Sequence, residues 1–236
     1  MQFPVPQKYT ATVESLVRLD GEVYNVGFTL RTPPSLSFIA GQYGSFFVSP
    51  TVRRNYSFTS PPKVASHIET CVDLTPRGPG SQWLLSLKIG ESVELLAPLG
   101  RFVVNKESQR KKVFVATGTG ISATRSMILD VLEANAPVAS VLYWGVRHEE
   151  NMFWDEEFQK LAEKYSQFSF IRIVSQPQGV WKGRIGRVTD FVTKEEKDLG
   201  NSEFYLCGNR QMIYDMKELL LEQNVPEEQI KSELFY

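Results

Sequence analysis

Residues 53–62 read RRNYSFTSPP: two arginines, a tyrosine and three hydroxyl residues in ten positions. A fixed cation, an aromatic ring and hydroxyls side by side can form a binding site. A polar strand end running into a Pro-Pro turn explains the segment equally well, because a motif gains meaning only from its context. A second candidate is FVATGTGISATRSM, residues 114–127, a strand, a glycine turn and a helix start in sequence. Glycines let the backbone come close to a phosphate, and free N–H groups at a helix N-terminus favour an anion. The full dinucleotide fingerprint has a third glycine, whose place is taken here by Ala123, and a tight turn alone also explains Gly-x-Gly. The third candidate is YLCGNRQMI, residues 205–213, where Cys207 precedes Gly208 and Asn209 at another strand-to-helix turn. Cys207 is either part of that site or a small buried hydrophobe. Ligands of open α/β sheets bind at the carboxyl ends of the strands, so the two turns together point to a dinucleotide site.

Composition narrows the chemistry. The 236 residues suit two domains, and 42% hydrophobic content is that of a folded chain. A net charge of −1 gives no basic field for nucleic acid. The start MQFPVPQKYT has no cationic leader or apolar segment, and no apolar run is long enough for a membrane span. Two cysteines, Cys71 and Cys207, cannot make a four-cysteine cluster, and His67 and His148 are the only histidines. The expectation is a cytoplasmic protein without a metal, whose redox chemistry, if any, comes from an organic cofactor.

The elements that must position these residues fall into two halves. Up to about residue 105 short strands rich in Val, Phe, Leu and Thr are separated by Gly and Pro: ATVESLVRL, VYNVGFTLRT, YGSFFVS, NYSFTS, IETCVDLT and SVELLAPLG. This spacing predicts a small antiparallel barrel or sandwich. One helix, SQWLLSLK, is expected there with Ser81 as N-cap. After NKESQRKK the runs KVFVATG, VASVLYWGVR, FSFIRIVSQ and EFYLCG are nearly continuously apolar, as in strands buried on both faces. They alternate with the helical stretches SATRSMILDVLEAN, WDEEFQKLAEKYS and NRQMIYDMKELLLEQN, and IKSELFY is a last short strand. Alternation of this kind predicts a parallel sheet covered by helices. The domains are expected at 1–106 and 110–236, joined by a polar linker.

RNYSFTS, GPGS, PLGRF, GTGIS, YWGVR and CGNRQM occur in the order and spacing of the ferredoxin–NADP reductase family, which the chain resembles along essentially its whole length. The resemblance implies an antiparallel Greek-key β-barrel that binds FAD, followed by a parallel-sheet α/β domain that binds NAD(P). It implies that Arg54 pairs with the FAD pyrophosphate, that Tyr56 lies against the isoalloxazine, and that Ser57 hydrogen-bonds near flavin N5. Arg53 has no such role. Gly80 and Ser81 open the helix that completes the pyrophosphate site, and the backbone of residues 71–74, with Val72 and Leu74, runs beside the flavin tail. By the same resemblance, Gly118, Thr119, Gly120 and Ile121 are expected to bound the nucleotide pyrophosphate and abut the flavin, and Cys207 and Gly208, followed by Asn209, to flank the nicotinamide. Ala123 stands where relatives often have proline. Glu233 relays protons, Phe235 covers the flavin face and Tyr236 extends beyond it; an edge strand packing its last aromatics is the plainer account of the final pair.

An extra phosphate on NADPH wants Arg or Lys, and Arg147, Arg184 and Lys182 follow the second and third strands of the sheet. The segment Ser175-Gln176-Pro177 carries Gln176 where several NADP-dependent relatives have arginine, and Arg147 could instead pair with Glu149 or Glu150. The balance leans slightly to NADPH over NADH. The bare two-domain form, without a cluster-bearing domain, implies a separate ferredoxin- or flavodoxin-like electron carrier. Arg53, Arg101, Lys106 and Arg110 are candidates to meet it. Reduction of diffusible flavins or quinones, electron input to a larger oxygenase system, and a non-enzymatic subunit are the alternatives.

Overall fold

The computed structural model describes residues 2–75, 77–134 and 137–234. Phe235 and Tyr236, which the resemblance ties to the flavin and nucleotide, lie outside these described residues. The chain divides into two compact units. One comprises the residues up to Val104 with Arg125–Asp130; the other comprises Asn105–Thr124 and the residues from Val131 onward.

In the first unit β1 (Gln7–Asp20), β2 (Val23–Thr32), β3 (Tyr43–Phe47), β4 (Arg53–Ser57), β5 (His67–Asp73) and β6 (Ser92–Leu99) form one antiparallel sheet. Its order is β4-β3-β6-β1-β2-β5, with the crossovers of a Greek key. A single antiparallel bridge between Phe58 and Thr70 joins the two ends, so the sheet curls into the expected barrel. Closure leaves no long unpaired edge. Its interior is apolar, with Ala11, Val13, Val26, Phe28, Phe46, Phe58 and Leu95 all buried. The helix α1 (Pro79–Ser86) begins three residues earlier than a Ser81 N-cap would give. Gly78 is its N-cap, and Ser81 lies inside the helix rather than capping it, because Pro79 takes the first helical position.

The second unit is a parallel six-stranded sheet of β7 (Lys111–Thr117), β8 (Ser140–Val146), β9 (Phe168–Val174), β10 (Arg184–Ile185), β11 (Ser202–Gly208) and β12 (Ile230–Leu234). Its order is β10-β9-β8-β7-β11-β12, and every pairing is parallel. All seven residues of β8 and all seven of β11 are buried, which explains their continuous apolar runs. Helices α2 (Ile121–Glu133), α3 (Asp155–Lys164), α4 (Val192–Glu195) and α5 (Arg210–Glu222) alternate with the strands. The two-residue β10 and the short α4 left no periodic signal in the sequence.

Charged residues at the amino ends of β7 and β11 are buried together. Lys112 and Glu203 are register partners, 1% and 4% exposed, and Lys112 Nζ donates to Glu203 Oε2 at 2.7 Å. Tyr205 Oη donates to the same oxygen at 2.9 Å, and Lys112 Nζ also reaches Ser108 O at 3.0 Å. Burial works against both charges, yet the ammonium beside Glu203 keeps its carboxyl below the ordinary value. Losing one member of such a pair strands the other. Lys112→Met should therefore lower the unfolding free energy by about 3–5 kcal/mol, read as a lower urea midpoint at nearly constant slope. Adding Glu203→Leu should recover most of the loss; a midpoint that does not move in the single variant would show that the pair contributes nothing.

Candidate functional site

Alternation along β4 puts Arg54 and Tyr56 on one face of the strand. Both lead to the start of α1. A Cβ on Gly80 would lie 2.3 Å from Tyr56 Oη and 3.3 Å from Arg54 Cγ, so only glycine lets the cation stem, the phenol and the helix start meet. Gly78 makes no side-chain cap hydrogen bond, which leaves the N-terminal turn of α1 without a side-chain acceptor at its cap. Burial pushes the Tyr56 hydroxyl up to about 12 despite the nearby Arg54 charge, so it remains a neutral donor. Its ring stacks on Trp83 at 6.0 Å and 12°, and Phe46 lies 5.8 Å from Tyr56 and 5.7 Å from Trp83. Ser57 and Ser81 are both buried. Arg53, turned to the other face, lies over the Phe47 ring at 5.7 Å. Val72 and Leu74 are core side chains, and the Leu74 amide is spent on Glu22 O at 2.8 Å.

In the second unit two turns leave neighbouring strands at the same edge. β7 runs into Gly118–Gly120 and α2; β11 runs into Gly208, Asn209 and α5. The turns pack backbone to backbone. A Cβ on Gly120 would meet Cys207 O at 2.4 Å, and one on Gly208, at φ +132°, would meet Thr117 O at 2.6 Å. Thr117 Oγ1 accepts from Asn209 N at 2.9 Å, and the Asn209 side chain caps α5 by accepting from Gln211 N and Met212 N. Trp144 Nε1 fixes the other turn by donating to Gly118 O at 3.1 Å. At Gly118 a Cβ would meet nothing within 4 Å. Thr119 O accepts from Ser122 Oγ at 2.7 Å, Ile121 is buried as the first residue of α2, and Ala123 is buried behind it. Cys207 is fully buried between Ala116 of β7 and Glu233 of β12 in register. Burial, with the Glu233 charge adding to it, holds its thiol well above the ordinary value, so it is no thiolate nucleophile.

Farther along the same edge, β8 and β9 end in Arg147 and Ser175-Gln176. Ser175 N donates to Val146 O at 3.0 Å, and Arg147 Nε donates to Gln176 Oε1 at 3.0 Å. Arg147 is thus joined to Gln176 and not to Glu149, whose carboxylate accepts from the amides of Gln178 and Gly179. Arg184 on β10 pairs through two nitrogens with the carboxylate of Glu195.

Two family models match this chain. The oxidoreductase FAD-binding domain covers residues 10–104 and the oxidoreductase NAD-binding domain covers 114–218. The chain belongs to the ferredoxin–NADP reductase family. It is 31% identical over 98% of its length to the reductase component DmpP of phenol 2-monooxygenase from Pseudomonas sp., spanning 66% of that protein. It is 31% identical over 85% of its length to the electron transfer component of anthranilate 1,2-dioxygenase from Acinetobacter baylyi, spanning 59% of it. The Amycolatopsis cytochrome P450 reductase GcoB shares the fold, with a TM-score of 0.91 at 24% identity over 99% of this chain and 71% of that one. No helix among the described residues is long and apolar enough to cross a membrane.

The reductase family binds FAD, and the first unit fits it: a glycine cradle, an uncharged phenol and an arginine stem converge at a helix start, as a diphosphate with a flat ring system requires. Within each unit the structure brings the sequence-selected residues together. In the first these are Arg54, Tyr56 and Gly80; in the second, Gly118, Gly120, Cys207, Gly208 and Asn209. Trp83, Thr117 and Trp144 were missed. The indole in SQWLLSLK and the threonine before GTG were visible, but nothing local says what either faces. Gly80→Ala should shift the Tyr56 ring at an overpacking cost of about 1–3 kcal/mol. FAD affinity, measured by fluorescence titration, is expected to fall about tenfold or more. A changed near-UV circular dichroism spectrum with unchanged affinity would separate Tyr56 from the cofactor.

Proposed function

We propose that this chain is a cytoplasmic FAD-dependent oxidoreductase that takes hydride from NADH or NADPH and passes electrons singly to a ferredoxin- or flavodoxin-type carrier. The observation that carries the reading is the meeting of Arg54, Tyr56 and Gly80 at the start of α1, in a chain whose other unit offers two glycine turns at one sheet edge. Bound FAD supplies what no side chain has, the capacity to accept two electrons as hydride and release them one at a time.

The side chains bind and orient. Arg54 gives a permanent, forked cation to the FAD diphosphate, and the first turn of α1, with Gly80 and Ser81, adds backbone donors there. Tyr56, held flat by Trp83, offers apolar surface and a neutral hydroxyl. Ser57, buried at the end of β4, would hydrogen-bond near the hydride-accepting edge of bound FAD. On the nucleotide side Gly118, Thr119, Gly120 and Ile121 admit the pyrophosphate, and Arg147, Ser175 and Arg184 line the adenosine end. Cys207 and Gly208, with Asn209, seat the nicotinamide; the neutral Cys207 thiol adds no charge beside a ring that becomes cationic on giving up hydride. Glu233, paired in register with Cys207, carries protons. Positioning of this kind supplies the acceleration, since hydride transfer needs contact geometry more than acid–base help. Arg53, Arg101, Lys106 and Arg110 are the cations offered to an acidic carrier.

A second reading has specific support: electron input to an oxygenase. The matched relatives are named as reductase and electron transfer components of oxygenases, and the chain spans 66% and 59% of their lengths.

The test is optical. Purified protein with FAD should bleach within the mixing time or shortly after when given reduced nucleotide without oxygen. Ser57→Ala should slow the bleaching by about tenfold or more, a barrier change of about 1.4 kcal/mol, while FAD affinity changes far less. Protein that neither retains nor takes up FAD removes the proposed function, and an unaffected rate removes Ser57 from it.

A further inference from the structure

Open parallel sheets place the adenosine ribose of a dinucleotide beyond the strand next to the glycine turn. There an acid reads a free 2′-hydroxyl, and an arginine accommodates a 2′-phosphate. In this sheet that strand is β8, the neighbour of β7, and it is followed by Arg147, His148, Glu149 and Glu150. β9 pairs with β8 and β10 with β9, so Arg147, Gln176 and Arg184 reach the same corner of the carboxyl edge. The cations expected to favour NADPH are therefore present and correctly placed along the chain.

What they face points the other way. A phosphate is best held by an arginine fork with both nitrogens open to it. One side of the Arg184 guanidinium is taken: Nε and Nη2 both donate to Glu195, the latter at 2.8 Å, so a carboxylate sits against the cation, and the guanidinium lies 5.9 Å from the Phe191 ring. The side chains are 37% and 29% exposed, so water only partly screens the pair. Arg172, on β9, is likewise paired with Asp155 at 3.2 Å and lies over Trp181 at 5.3 Å. Arg147 is exposed and tied through Nε to Gln176. Lys182 is exposed on a flexible stem, a point charge rather than a fork. Glu149 and Glu150, two and three residues after Arg147, add negative charge that opposes a phosphate, although the Glu149 carboxylate itself accepts from the amides of Gln178 and Gly179.

We infer that Glu195 sets the nucleotide choice: by pairing with Arg184 it neutralises the cation a 2′-phosphate needs, and the site takes NADH ahead of NADPH. The inference rests on the reading of the second unit as a pyridine-nucleotide site. It turns on a residue that touches no part of the nucleotide and acts through Arg184, so Glu195 is a positioning residue. The sequence lean towards NADPH counted the arginines without knowing their partners.

Isothermal titration calorimetry of the FAD-loaded protein with NAD⁺ and NADP⁺ tests this without turnover. The wild type should bind NAD⁺ about tenfold or more tightly than NADP⁺, and Glu195→Gln should shift that ratio about tenfold or more towards NADP⁺. Glu195→Ala serves the same purpose if the amide still holds the fork or the first variant fails to fold. Arg184→Ala added to either should return the ratio to the wild-type value, which a loss of general structure would not do. Tighter NADP⁺ binding by the wild type, or a ratio unmoved in both Glu195 variants, overturns the inference while leaving the nucleotide site standing. If the folded wild type binds neither nucleotide, the reading of the second unit fails, and the inference with it.

Discussion

The second unit depends on one steric constraint: the turn after β7 and the turn after β11 must touch through their backbones. Gly120 and Gly208 meet the Cys207 carbonyl and Thr117 at distances no Cβ tolerates. Because β7 and β11 are adjacent and parallel, both turns then deliver a helix start to the same edge. The Thr117 hydroxyl locks the arrangement through Asn209 N, and Asn209 in turn caps α5. Cys207 is caught at the centre of this contact, and its burial is what keeps its thiol neutral. One packing requirement thus fixes two turns, two helix origins and the protonation state of the residue between them.

The first unit meets a related demand, an anion beside a flat ring, with different means. It relies on a permanent cation and on strand alternation: Arg54 and Tyr56 are two apart, so both reach the start of α1. Two glycines stand there, the N-cap Gly78 and Gly80, and the task of Gly80 is to leave room for a phenol rather than to bring two backbones together. The aromatic set of Phe46, Tyr56 and Trp83 joins this face to the barrel core, so the plane of the Tyr56 ring is set by packing and not by its hydroxyl.

Much of this was legible in the chain. The change from alternating to continuous apolar runs separates the antiparallel from the parallel sheet, and β8 and β11 show why, being buried on both faces. Segments such as GTG and CGN marked the strand-to-helix turns because turn chemistry is local. Most of what escaped was set by distant partners. Ser81 reads as a cap until Pro79 claims the first helical position. Lys112 reads as the polar end of a strand, yet the register of β7 with β11 buries it against Glu203. Arg184 was counted as a cation without a partner, and the structure pairs it with Glu195, eleven residues on. The last two are pairings, and pairings belong to topology, whereas the first is a local effect of Pro79.

Those pairings also divide the parallel sheet along its strands. Lys112 with Glu203, and Lys111 with Glu196 and the Tyr143 hydroxyl, involve residues at the amino ends of β7 and β11 or reach towards them. Burial comes first in raising both Tyr143 and Tyr205 above the ordinary phenol value, and the neighbouring carboxylates reinforce it, so both stay neutral donors to Glu196 and Glu203. The carboxyl ends of the same strands carry glycine, threonine, cysteine and asparagine instead. A buried ion pair needs its geometry kept, because separating the charges in a poorly hydrated interior is costly. A ligand edge needs the reverse: small groups and backbone donors that an arriving phosphate can use without first breaking a strong pair. With the self-paired charges at the amino end, the carboxyl ends of β7 and β11 stay open to an anion.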